Sequence, residues 1–147
     1  MIKRISIVLL LLLFSAGCAI AEENFTSNEL PTHGYIVTPS KDVKDPFQIL
    51  RTSDTITQSE TNWHYKLISS YITTIDVNLN WGNTYNSLKL TIYTPEGHTL
   101  GPYYDSADGS INGKIDLDIT NPNGIAKGTW NYKVYGYSVS GTESYTI

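Results

Sequence analysis

The chain has 147 residues, with ten Lys and Arg against fourteen Asp and Glu and a formal net charge of −4. That balance excludes a nucleic-acid binder working through a basic face, because neutralising phosphates takes an excess of Lys and Arg. A single Cys leaves no intrachain disulfide and no cysteine-based metal centre. Eleven Tyr, three Trp, eleven Gly and six Pro beside one Met describe a chain of strands and turns.

Met1-Ile2-Lys3-Arg4 is a short positive region, and residues 5–14 form an apolar run broken only by Ser6. Ala19-Ile20-Ala21 meets the small-x-small rule, so residues 1–21 read as a signal peptide with Glu22 as the new N-terminus. The mature domain is then secreted, without a membrane span, and more acidic still because Lys3 and Arg4 leave with the signal. Two alternatives stay open. Residues 5–21 reach the lower edge of an N-terminal membrane anchor, at about 1.5 Å per residue. Ser15-Ala16-Gly17-Cys18 also places small residues before a cysteine, as in lipoproteins anchored through Cys18, although Ser15 stands where such sequences usually carry Leu. Residues 22–33 are polar and read as a flexible lead-in. They include Asn24-Phe25-Thr26, a possible N-glycosylation acceptor at Asn24.

Residues 34–147 read as one all-β domain. A first short strand covers residues 34–38 and ends at Pro39; residues 40–46 are turn-rich, and residues 47–50 offer apolar side chains to a sandwich edge. Residues 56–67 carry Ile56, Trp63, Tyr65 and Leu67 on one or two strands. The clearest pattern spans residues 71–81. There Tyr71, Thr73, Ile75, Val77, Leu79 and Trp81 alternate with Ile72, Thr74, Asp76, Asn78 and Asn80, which predicts one buried and one wet face. The pattern returns in Leu88, Leu90 and Ile92, closes at the turn Thr94-Pro95-Glu96-Gly97, and returns again in Ile115, Leu117 and Ile119. After the turn Asn121-Pro122-Asn123-Gly124, residues 128–139 form a long strand. Trp130, Tyr132 and Val134 lie on one side of it, Tyr135 and Tyr137 on the other. A turn at residues 140–143 leads into a final strand. No segment has helical periodicity of useful length, so the expected fold is a jelly-roll-like antiparallel β-sandwich.

The order Leu79-Asn80-Trp81, Leu88-Lys89-Leu90-Thr91-Ile92-Tyr93, Pro95-Glu96-Gly97, Gly128-Thr129-Trp130, Val134-Tyr135-Gly136 and Ser144-Tyr145-Thr146-Ile147 resembles the pre-peptidase C-terminal domain and its archaeal relatives. The resemblance covers residues 56–147. It implies an accessory β-sandwich without catalytic residues of its own, found on or beside secreted peptidases. Here no peptidase domain precedes it.

Two groups of residues are candidates for a site. Asp105 and Asp108, three apart before Gly109 in a Tyr-rich loop, can converge on a hard cation such as Ca²⁺; Asp and Gly make ordinary turns equally well. Tyr93, Tyr103, Tyr104, Tyr135 and Tyr137 can present flat rings to a sugar or a protein partner, or serve only as strand formers. Trp63, Trp81 and Trp130 are assigned to the core or its rim, and Asp116 and Asp118 to a solvated strand face. His33, His64 and His98 are scattered, with no zinc-like local spacing and no nucleophile elbow nearby. The expected function is that of a non-catalytic extracytoplasmic module that recognises a protein partner or a cell-surface component. Carbohydrate binding through the tyrosines is the alternative, and a hydrolase with a dispersed triad the third.

Overall fold

The computed structural model describes residues 33–40 and 51–147. The signal segment, Cys18, the Asn24 sequon, the lead-in before His33 and residues 47–50 lie outside the described residues.

Among the described residues nine strands follow one another: β1 Ile36–Pro39, β2 Ser53–Thr57, β3 Thr61–Ile68, β4 Thr74–Asn80, β5 Ser87–Tyr93, β6 Thr99–Tyr103, β7 Lys114–Thr120, β8 Gly128–Ser138 and β9 Thr142–Thr146. They form two antiparallel sheets, ordered β1-β7-β4-β9-β2 and β3-β8-β5-β6. The pairings nest: β5 with β6, β4 with β7, β3 with β8 and β2 with β9. That is a long hairpin rolled so that successive strands alternate between sheets, the jelly-roll topology, with β1 added beside β7. The domain is therefore an all-β antiparallel sandwich. Among the described residues no helix is long and apolar enough to cross a membrane.

Alternation explains the core. Ile75, Val77 and Leu79 on β4 meet Ile119, Leu117 and Ile115 on β7 in register, and all six are buried. Leu88, Leu90 and Ile92 face them from β5, and Trp130, Tyr132 and Val134 from β8. Each is apolar at every second position, which a pleated strand turns into one inward face. Several polar groups of the core are matched, while the Tyr132 hydroxyl and the Asn78 amide are buried without a hydrogen-bond partner. Trp130 Nε1 donates to the Ala126 carbonyl at 3.0 Å and Trp81 Nε1 to that of Asn86 at 3.0 Å. Buried Glu143 accepts from the side-chain amides of Asn83 and Asn86. Burial pushes the Tyr132 hydroxyl well above its usual titration range.

Both proline turns form as expected. Gly97 N–H closes on the Thr94 carbonyl at 3.0 Å and Gly124 N–H on that of Asn121 at 2.9 Å, with φ of 85° and 102° that favour glycine. Three expectations need correction. The fourth strand starts at Thr74 rather than Tyr71, because Tyr71 is exposed and its ring packs on Gly124. The outer side of β4 and β7 is not uniformly wet: Asn78 and Asp116, opposite each other in register, are both buried. Lys114 offsets the charge of Asp116 with an Nζ–Oδ2 distance of 3.2 Å. Trp63 is not a core residue, as described next.

Candidate functional site

Strand β3 sits at the edge of the four-stranded sheet and has its sides reversed. Trp63, Tyr65 and Leu67 are 58%, 79% and 67% exposed, whereas Asn62, His64 and Lys66 between them are half-buried. Trp63 pairs with Lys133, Tyr65 with Asn131 and Thr61 with Tyr135 across to β8. Lys89 pairs with Tyr135 and Tyr93 with Asn131 from β5. Directly paired residues share a face, so the outer surface of this sheet carries Trp63, Tyr65, Tyr93, Tyr135 and Tyr137 together with Lys89 and Lys133. The rings touch. Trp63 and Tyr93 have centroids 5.6 Å apart, and Tyr137 meets Tyr104 edge-on at 5.2 Å.

The two ammonium groups stand against this aromatic surface. Lys89 Nζ lies 4.5 Å from the Tyr135 centroid, and Lys133 Nζ lies 6.0 Å from that of Trp63, within cation–π range. Four of the five candidate tyrosines are thus brought to one surface. Tyr103 is the exception. It pairs with Leu90 on the inner side and packs against the core, where burial pushes its hydroxyl up to about 12. Trp63, Tyr65, Lys89 and Lys133 were missing from the sequence candidates. The signal was present, since β3 alternates as regularly as β4, but alternation does not say which side is inside.

The polar side of β3 fills the rim of the sandwich, where β2 of one sheet passes β3 of the other. His64 Nε2 lies 2.7 Å from Tyr145 Oη. Asn62 Nδ2 donates to the Thr55 carbonyl at 2.8 Å and reaches Asp54 Oδ2 and Tyr145 Oη, each at 3.1 Å. Burial, opposed by Asp54, lowers the His64 pKa, and burial pushes the Tyr145 hydroxyl up to about 12. Asp54 Oδ2 is 3.9 Å from the same ring nitrogen that faces Tyr145. A catalytic relay needs the orienting carboxylate on the other nitrogen, so this cluster is a seam between the sheets. Nearby, β4 and β9 are bridged only at Asn80–Thr146, which leaves an open groove of about 460 Å³ beside Trp81 and Ser144.

Asp105 and Asp108 lie on a short 3₁₀ turn, Asp105–Asp108. Asp105 is buried, and its Oδ1 accepts the backbone N–H groups of Asn112, Gly113 and Lys114 at 3.0–3.1 Å. Asp108 Oδ1 accepts Ser110 N–H at 3.1 Å. The carboxylate of Asp105 is therefore saturated by amides and fixes the approach to β7. Among the described residues no three His, Cys, Asp or Glu gather around a common point as a metal cage. His33 and His98, far apart in sequence, stack with centroids 3.8 Å apart and planes within 6°. In-plane lone pairs on stacked rings lie in separate, nearly parallel planes and do not converge on one ion.

Fold and surface together define a jelly-roll sandwich with an aromatic, lysine-bearing outer sheet. No family model matches the chain. A relative from Archaeoglobus fulgidus, an "uncharacterized protein" by its description, is 43% identical over 49 residues, which cover 33% of this chain and 68% of the relative. The chain belongs to one family with that archaeal protein.

Proposed function

We propose that the chain is a non-catalytic, extracytoplasmic recognition module that grips a polysaccharide with the outer face of the β3-β8-β5-β6 sheet. The observation that carries this reading is the reversal of β3. A strand normally buries its large apolar side chains, each worth about 1.5–3 kcal/mol when removed from water. Here Trp63, Tyr65 and Leu67 forgo that gain and extend an existing row of tyrosines. A contiguous exposed aromatic surface is a mark of a binding site, and rings standing on a sheet suit the flat faces of sugars. The leader-like residues 1–21 and the resemblance to accessory domains of exported proteins support placement outside the cytoplasm.

The test is mobility of the purified chain in native gels containing soluble polysaccharides. At least one polymer is expected to retard it, and Trp63→Ala or Tyr135→Ala to weaken that retardation at least about tenfold. Retardation by no polymer, or equal retardation of the variants, would overturn the reading. A second reading, recognition of a protein partner, draws on Leu67, an exposed aliphatic side chain that a sugar does not need. A stable complex in pull-down that is lost on Leu67→Ser but kept by Trp63→Ala favours it.

A further inference from the structure

We propose that the polymer held on this face is anionic, a carboxylate-bearing polysaccharide whose charges are met by Lys89 and Lys133. The inference rests on the binding face proposed above and adds the chemistry of the ligand.

Among the described strands, charge is divided by sheet. Strands β3, β5, β6 and β8 contain no Asp and no Glu, yet carry Lys66, Lys89 and Lys133. The other sheet carries Asp54, Asp76, Asp116, Asp118 and Glu143 against Lys114 alone. In a chain of net charge −4, that leaves the aromatic face locally positive. Lys114 is paired with Asp116, but neither Lys89 nor Lys133 has a carboxylate partner among the described residues. Both rest on rings instead. A lysine held only by a ring gains little at an exposed site, and its ammonium keeps donors to offer.

The register places these donors beside the stacking rings. Lys133 is directly opposite Trp63, and Lys89 directly opposite Tyr135. The two lysines are diagonal neighbours on β8 and β5, roughly 7–8 Å apart at the backbone. A pyranose laid on Trp63 carries a C5 carboxylate at its rim, beside the aromatic ring rather than over it. The Lys133 ammonium now stands over that ring, 6.0 Å from its centroid, and on its flexible stem it meets a carboxylate at the rim by turning off the ring face. Two such ring-plus-lysine units along the sheet match a repeating acidic polymer, whereas an uncharged glycan would leave both cations without counter-charge.

The experiment compares retardation of the purified chain by polygalacturonate and by uncharged hydroxyethyl cellulose, with phosphatidylglycerol vesicles as a third arm in a sedimentation assay. Polygalacturonate is expected to bind, roughly tenfold more weakly when salt rises from about 0.05 to about 0.5 M. The double variant Lys89→Gln/Lys133→Gln should lose binding with an unchanged circular dichroism spectrum, and Lys89→Arg/Lys133→Arg should keep it. If hydroxyethyl cellulose binds as tightly, or the Gln variant binds like the parent, the charge proposal falls while the binding face stands. Binding to neither polysaccharide, whether or not vesicles are bound, overturns the face as a glycan site along with it.

Discussion

The carboxylate of Asp105 does the work of several backbone partners at once. Three consecutive N–H groups, from Asn112 to Lys114, converge on its Oδ1 where the chain enters β7. Hydrogen bonds to a charged acceptor contribute about 1.5–3 kcal/mol, and stranding buried donors costs a similar amount. Asp105→Ala should therefore lower stability by on the order of 3 kcal/mol in urea unfolding, and a loss below about 0.5 kcal/mol, typical of a surface substitution, would contradict the bonding described. Because amides already fill this carboxylate, chelator should leave the melting temperature unchanged; a lower value in chelator would restore the calcium site expected from the spacing of Asp105 and Asp108. His64 gives a pH dependence. Burial holds its pKa below the ordinary 6.5, so as pH falls the unfolded chain takes up this proton before the folded one. The stabilisation is complete above that value and is lost progressively below it. The drop in melting temperature between about pH 7.5 and about pH 5 should be smaller in His64→Gln than in the parent chain. An identical drop in both would show that His64 is not the group responsible.

At the scale of elements, β3 and β8 show two tryptophans in opposite roles. Trp130 on β8 has no exposed surface, and Trp63 on β3 is more than half exposed. Trp130→Ala should cost about 3–5 kcal/mol, whereas Trp63→Ala should stay within about 0.5 kcal/mol. Comparable losses in chemical denaturation would mean that β3 is packed the other way round. Gly136 is constrained from the same neighbourhood. A Cβ there would run into the Thr57 carbonyl of the β2–β3 turn, so Gly136→Ala should displace the start of β3 and lower the unfolding midpoint. These elements also show how far the sequence carries. Alternation located β4, β5, β7 and β8 and their inner faces, because apolar side chains every second residue permit little else. It could not orient β3, where polar Asn62 and His64 turn inward to the Asp54–Tyr145 seam. That seam joins residues from β2, β3 and β9, and no local spacing announces a contact between strands so distant in the chain. Asp105's amide partners were illegible for the same reason, since they lie seven to nine residues onward.

For the whole molecule, the rolled hairpin sets one sheet with five acidic strand residues against another with none. The class of fold was legible from composition and turns. The separation of charge was not, because it depends on which strands share a sheet, and a jelly roll deals consecutive strands to opposite sheets. The acidic side should keep the module away from anionic surfaces except through the aromatic face, making association strongly dependent on ionic strength. Everything proposed for that face requires the apolar side of β3 to look into water. Acrylamide quenching of tryptophan fluorescence tests this most directly, since Trp81 and Trp130 are buried and Trp63 is not. The native chain should contain one readily quenched component, and Trp63→Phe should remove it. If the quenchable component survives that substitution, β3 faces the core and the binding surface described here does not exist.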